Sequence, residues 1–216
     1  MAFLNQTLQL DQWVARMRQP EGSGPFPVYL LLHGLTGDED VMWVFASRLP
    51  ANALLIAPRG LHTSASGGYS WLPDSGRKWP VVADFQPAVD AILELLNPNF
   101  FPTADFSKLH LVGFSQGAAL SYTFGLLQAD KIRALAGLSG FLPEDAPQYI
   151  AGQPLRGKRI FTAHGTQDDT VPVERARWAV QTLQQAGAQV VYCEDDVGHK
   201  LSASCFNGLE GFFKNL

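Results

Sequence analysis

The stretch Gly113-Phe114-Ser115-Gln116-Gly117 constrains the fold more than any other part of the chain. It follows the apolar run Leu109-His110-Leu111-Val112 and leads into the alanine-rich Ala118-Ala119-Leu120-Ser121-Tyr122-Thr123-Phe124. That context reads as strand, sharp turn and helix. Glycine two residues either side of a serine suits such a turn, because bulkier side chains there would strike neighbouring elements. Ser115 Oγ would then stand exposed at a strand end, with a helix N-terminus beneath it.

The rest of the chain fits a mostly parallel sheet covered by helices. Pro27–Leu32 reads as a buried strand ending at His33-Gly34, and Ala53–Ala57 as the next, stopped by Pro58. Ile132–Leu138, Arg159–Ala163 and Val190–Tyr192 are further strands. Helices are expected over Asp40–Leu49, Val81–Leu96, Val173–Ala186 and Ala203–Leu216. Arg59 to Pro80 is a long loop carrying Tyr69, Trp71 and Trp79, and loops of that length in a compact domain are usually functional. The 216 residues suit one large α/β domain spanning 1–216, and 46% hydrophobic residues supply its core.

Composition excludes several roles. With a net charge of −4 and no basic run longer than Arg156-Gly157-Lys158-Arg159, nothing offers a surface to nucleic acid. The apolar runs are shorter than a membrane span, and the N-terminus from Met1 to Gln6 shows no basic segment followed by a long apolar one. A cytoplasmic location without stable membrane insertion is the expectation. Cys193 and Cys205 carry no C-x-x-C spacing and are expected as buried free thiols, a bridge between them being the alternative.

A serine hydroxyl needs a base to take its proton, and the base needs a carboxylate to hold its tautomer. His199, in Asp195-Asp196-Val197-Gly198-His199 after the last strand, is the candidate base. His33 and His164, each at a strand end, are expected to bond to nearby backbone instead. Asp168 and Asp169 lie on a loop between a strand and a helix, and either can serve as the acid. Oxyanion donors are expected from the backbone of Gln116, at the start of a helix, and of Leu35, in the turn His33-Gly34-Leu35-Thr36-Gly37. Leu35, Tyr69, Trp71, Trp79, Phe141 and Leu142 are candidates for an apolar substrate pocket, with core packing as the alternative.

Five segments in order, Leu31-Leu32-His33-Gly34-Leu35, Gly113-Phe114-Ser115-Gln116-Gly117-Ala118, Leu138-Ser139-Gly140-Phe141-Leu142-Pro143, His164-Gly165 with Asp168 and Val171-Pro172, and Gly198-His199, resemble the α/β-hydrolase superfamily. Within it they resemble the phospholipase/carboxylesterase family, which includes acyl-protein thioesterases. The resemblance implies an α/β-hydrolase fold, a compact mostly parallel central sheet with helices on both faces. It also implies Ser115, Asp168 and His199 as triad, choosing Asp168 over Asp169, with Leu35 and Gln116 as oxyanion hole. No metal or organic cofactor is implied. The chain departs from the family pattern at Thr36-Gly37-Asp38 and in the loop from Arg59 to Pro80.

The expected function is a serine carboxylesterase acting on short- to medium-chain acyl esters, with a small-molecule ester as partner. The alternatives are an acyl-protein or lysophospholipid thioesterase or lipase-type hydrolase, a peptidase or dienelactone-type hydrolase, and a non-catalytic binding module on a hydrolase shell. The stripe Phe206, Leu209, Phe212 and Phe213 is expected to pack on the sheet, a homodimer through part of it being the alternative.

Overall fold

A computed structural model describes residues 3–74 and 76–216. Met1 and Ala2, at the N-terminus read above for a targeting signal, and Ser75, in the long loop, lie outside the described residues. In chain order the strands are β1 (Phe3–Leu10), β2 (Trp13–Pro20), β3 (Phe26–Leu32), β4 (Leu54–Pro58), β5 (His62–Thr63), β6 (Tyr69–Ser70), β7 (Ala104–Phe114), β8 (Ile132–Leu138), β9 (Arg159–Gly165) and β10 (Gln189–Asp195). The helices are α1 (Val82–Leu95), α2 (Gln116–Leu127), α3 (Val173–Gln185) and α4 (Ala203–Lys214). A 3₁₀ helix over Val41–Arg48 takes the place of the helix expected at Asp40–Leu49.

Eight strands form one sheet in the order β1-β2-β4-β3-β7-β8-β9-β10, while β5 and β6 make a separate hairpin. Pairing is antiparallel at β1–β2 and β2–β4 and parallel at every other junction. The inner strands read as unbroken apolar runs because both faces are covered. Along β3, Val28, Leu30 and Leu32 join one core and Tyr29 and Leu31 the other, the two-residue period of a strand. The first core is closed by α1, α2 and α3. The second is closed by the 3₁₀ helix and α4, whose Leu209, Phe212 and Phe213 are buried against the sheet.

The first two strands were not anticipated. In β1 polar Asn5, Thr7 and Gln9 are exposed, so a sheet-edge strand carries too few apolar residues to stand out. The hairpin β5–β6 also breaks up the loop expected from Arg59 to Pro80.

From β3 the chain moves to β4 on one side of the sheet and later returns to β7 on the other. At such a switch point the connections leave in opposite directions and open a crevice beyond the strands' carboxyl ends. Ser115 follows the last residue of β7, at that crevice.

Candidate active site

Ser115 sits at φ 54° and ψ −116°, a conformation that non-glycine residues rarely adopt. The turn closes so tightly that a Cβ on Gly117 would stand 2.0 Å from the Leu32 carbonyl oxygen. One on Gly113 would stand 2.1 Å from that of Gly117. The serine is thus pushed out of the strand line into the crevice, and Gly113 and Gly117, two residues either side, have no room for side chains.

Three residues from three loops meet there. His199 Nε2 lies 3.0 Å from Ser115 Oγ, and His199 Nδ1 lies 2.7 Å from Asp168 Oδ2. A carboxylate can only accept, so Nδ1 carries the proton and Nε2 is left to accept from the serine hydroxyl. The Phe114 ring packs against the imidazole at 5.0 Å. Asp168 has no exposed side-chain surface, and its Oδ1 accepts the N–H groups of Thr170 (2.9 Å) and Val171 (2.8 Å). Asp169, the equal candidate by residue type, points to solvent. Asp195 is occupied elsewhere, accepting from Ser204 Oγ and the Asp196 N–H.

His164 and His33 make the backbone bonds expected of them. His164 Nε2 donates to the Val171 carbonyl at 2.8 Å and lies 3.4 Å from Asp168 Oδ2. His33 Nδ1 donates to the Gly34 carbonyl at 2.7 Å, while its Nε2 accepts the Gly60 N–H at 2.8 Å. Burial lowers the pKa of both rings and holds them neutral. His33 thereby fastens the start of the long loop to the turn after β3.

That turn runs from Gly34 to Gly37, closed by the Gly37 N–H to the Gly34 carbonyl at 3.0 Å, with Thr36 at φ 68°. Thr36 donates to the Tyr69 carbonyl at 2.9 Å, which leaves Leu35 as the apex of the turn. Leu35 is 53% exposed. Gln116 is the first residue of α2, where a helix N–H has no acceptor within the helix. Its side chain has a separate duty that the motif did not announce. Oε1 accepts the Trp71 N–H at 2.9 Å, and Nε2 donates to Ser70 Oγ at 3.1 Å, latching the long loop beside the serine.

A cavity of about 410 Å³ opens at Ser115, lined by apolar Leu35, Leu72, Trp79 and Phe141 together with polar Gln116, Ser64, Asp74 and Lys78. Trp79 stands edge-on to Phe141 at 5.2 Å and carries the Arg175 guanidinium 4.1 Å over its ring. Three expected pocket residues need correction. Tyr69 does not line the cavity, its ring lying 4.5 Å beneath the Arg59 guanidinium. Trp71 is 1% exposed, its indole donating to the His33 carbonyl at 2.8 Å, and Leu142 is fully buried, so both belong to the core. Leu72, not singled out in the sequence, takes their place.

The cysteines also need correction, since Cys193 in β10 and Cys205 in α4 form a disulfide. It brackets the loop that carries His199.

The sequence and the fold have known counterparts. Residues 19–215 match the family model described as Phospholipase/Carboxylesterase. A probable carboxylesterase, SOBER1-like, from Arabidopsis thaliana is 27% identical over 206 residues, covering 86% of this chain and 77% of that protein. Acyl-protein thioesterase 1 of Emericella nidulans is 34% identical over 88 residues, but that match spans only 39% of this chain and 37% of the relative. Among solved structures, a carboxylesterase from Mesorhizobium loti superposes with a TM-score of 0.81 at 20% identity, covering 98% of this chain and 99% of that one. At that identity the likeness speaks for the fold alone.

Proposed function

The chain belongs to the phospholipase/carboxylesterase family of serine hydrolases, and from that premise we infer that it hydrolyses short- to medium-chain acyl esters through Ser115, His199 and Asp168. The observation that carries this reading is the continuous relay from Ser115 Oγ through His199 to Asp168, at 3.0 and 2.7 Å. Residues 1–216 act as one domain in this reading.

His199 Nε2 takes the Ser115 proton as Oγ attacks the ester carbonyl. Asp168 keeps the imidazole in the required tautomer and stabilises its charged form. The N–H groups of Leu35 and Gln116 receive the oxyanion, each worth roughly 3 kcal/mol in comparable sites. The carbonyl–oxygen bond then breaks, His199 gives its proton to the leaving alcohol, and a water activated by the same nitrogen releases the acid. Ser115→Ala removes the nucleophile and should lower turnover of p-nitrophenyl acetate at least about 10⁴-fold without unfolding the protein.

The 410 Å³ cavity supports the preference for short to medium acyl chains. Its wall mixes apolar Leu35, Leu72, Trp79 and Phe141 with polar Ser64, Asp74 and Lys78, and a wall of that mixed character offers a long hydrocarbon chain little continuous surface to bury against. The test is hydrolysis of p-nitrophenyl esters from acetate to palmitate. Rates should peak at short chains; rates rising steadily to palmitate would favour a long-chain thioesterase or lipase instead.

A further inference from the structure

Leu35 is a ridge between two cavities. Beyond it, away from the acyl pocket, lies a second groove of about 540 Å³ between the turn after β3, the 3₁₀ helix and the chain entering α4. Val41, Val44, Phe45, Phe114, Leu201 and Phe206 line it, and among the described lining residues only Lys200 is charged. Val44 is 61% exposed and Val41 49%, so with Leu35 they leave an apolar strip facing water. The floor is firm, because Phe45 stacks on Phe206 at 5.3 Å.

This groove abuts the reacting centre. Gly34, in its wall, is so close to the nucleophile that a Cβ there would stand 3.1 Å from Ser115 Cβ. Phe114, also in its wall, packs on His199. The chemistry decides which half of an ester can occupy it. When the tetrahedral intermediate collapses, the carbonyl–alkoxy bond breaks and the proton held at His199 Nε2 passes to the departing oxygen. The alcohol half therefore has to sit on the histidine side of Ser115. Lys200 and Leu201, which follow His199 in the chain, line this groove and not the acyl pocket.

We propose that the groove between the 3₁₀ helix and the start of α4 is a leaving-group subsite, and that the enzyme prefers esters of bulky, uncharged, apolar alcohols. The proposal rests on the ester-hydrolase reading above and names the leaving group that this site takes. Each methylene of the alcohol that enters the groove is worth a factor of about four in kcat/KM.

The test is a pH-stat assay of acetate esters of primary alcohols matched in leaving-group pKa, from methyl through butyl to hexyl and cyclohexylmethyl, beside methyl butyrate. kcat/KM should climb at least tenfold from methyl to cyclohexylmethyl acetate. Val44→Glu places a charge at an exposed position of the wall, so folding should survive, and Val41→Lys repeats the change one turn away. Each should reduce the cyclohexylmethyl-to-methyl ratio about fivefold or more while the butyrate-to-acetate ratio stays put. A flat alcohol series in an enzyme that turns over methyl acetate overturns the subsite and makes the strip a surface for a partner. Loss of the acyl ratio in the Val44 variant overturns it too, by assigning the groove to the acyl chain. No turnover of any ester, with no labelling of Ser115 by a fluorophosphonate, removes the hydrolase reading itself.

Discussion

Two loops flank Ser115, and they are held by different means. The segment from Arg59 to Pro80 is fastened by hydrogen bonds: Gly60 to His33, Tyr69 to the turn at Thr36 and Gly37, Trp71 to Gln116, and a two-pronged Arg59–Glu39 ion pair at 2.7 and 2.8 Å. The segment carrying His199 is shorter and closed covalently by Cys193–Cys205, with the Gln167 N–H reaching the Val197 carbonyl at 3.0 Å. Many reversible ties suit a loop that shapes a pocket. A cross-link across a short loop suits one that must return a single ring to the same place.

The strongest break in that contrast is on the histidine side. Asp168→Asn replaces an acceptor by a group that can offer a donor to His199 Nδ1, favouring the wrong tautomer. kcat on p-nitrophenyl acetate should fall about 10³- to 10⁴-fold with the thermal midpoint little changed. A collapse in stability of the same variant would recast Asp168 as a folding residue. Removing the cross-link is next in size. The double variant Cys193→Ser/Cys205→Ser frees a closed loop of about a dozen residues and should lose about 3 kcal/mol in urea unfolding. An unchanged midpoint would mean that the hydrogen bonds of this loop hold it unaided.

On the other side, Gln116→Ala keeps the backbone N–H and removes the latch to Ser70 and Trp71. Two lost hydrogen bonds correspond to about a tenfold drop in kcat/KM, expected mainly in KM. A fall confined to kcat would point instead to a disturbed oxyanion hole. The smallest effect is acid loosening through His33. Burial opposes its charged form, while Asp38 and Glu39 partly favour it and Arg59 opposes it. Its folded pKa is therefore below the unfolded value, the unfolded chain binds more protons, and stability is full above about pH 6.5 and declines below it. At pH 6 the loss from this ring is under about 1 kcal/mol. His164 and His110, also lowered by burial, act in the same direction. The slope that disappears in His33→Gln is thus the share to measure.

Legibility in the sequence followed burial. Strands covered on both faces, such as β3 and β8, announce themselves as apolar runs, and the glycines of the Ser115 turn are demanded by backbone contacts that any strand–turn–helix of this kind would make. The half-exposed β1 has no such signature. Residue types and their order drew attention to Ser115, Asp168 and His199, but two neighbouring aspartates look alike until one accepts two backbone N–H groups in a buried loop. The disulfide had no spacing motif to reveal it. Trp71 and Leu142 show the limit most plainly. An aromatic or apolar side chain near a strand end can face pocket or core with equal chemical sense, and only packing tells them apart.

Leu35 divides its work between backbone and side chain. In the proposed mechanism the hydrogen offered to the oxyanion belongs to the amide, which every residue but proline possesses, while the isobutyl group forms the crest between the two cavities, proposed as acyl and alcohol subsites. The chemistry and the sorting of substrate halves are thus written on different atoms of one residue. A substitution that lowers or raises the crest can trade acyl room for alcohol room without withdrawing the donor, so selectivity in this enzyme can drift at a position where catalytic competence stays fixed.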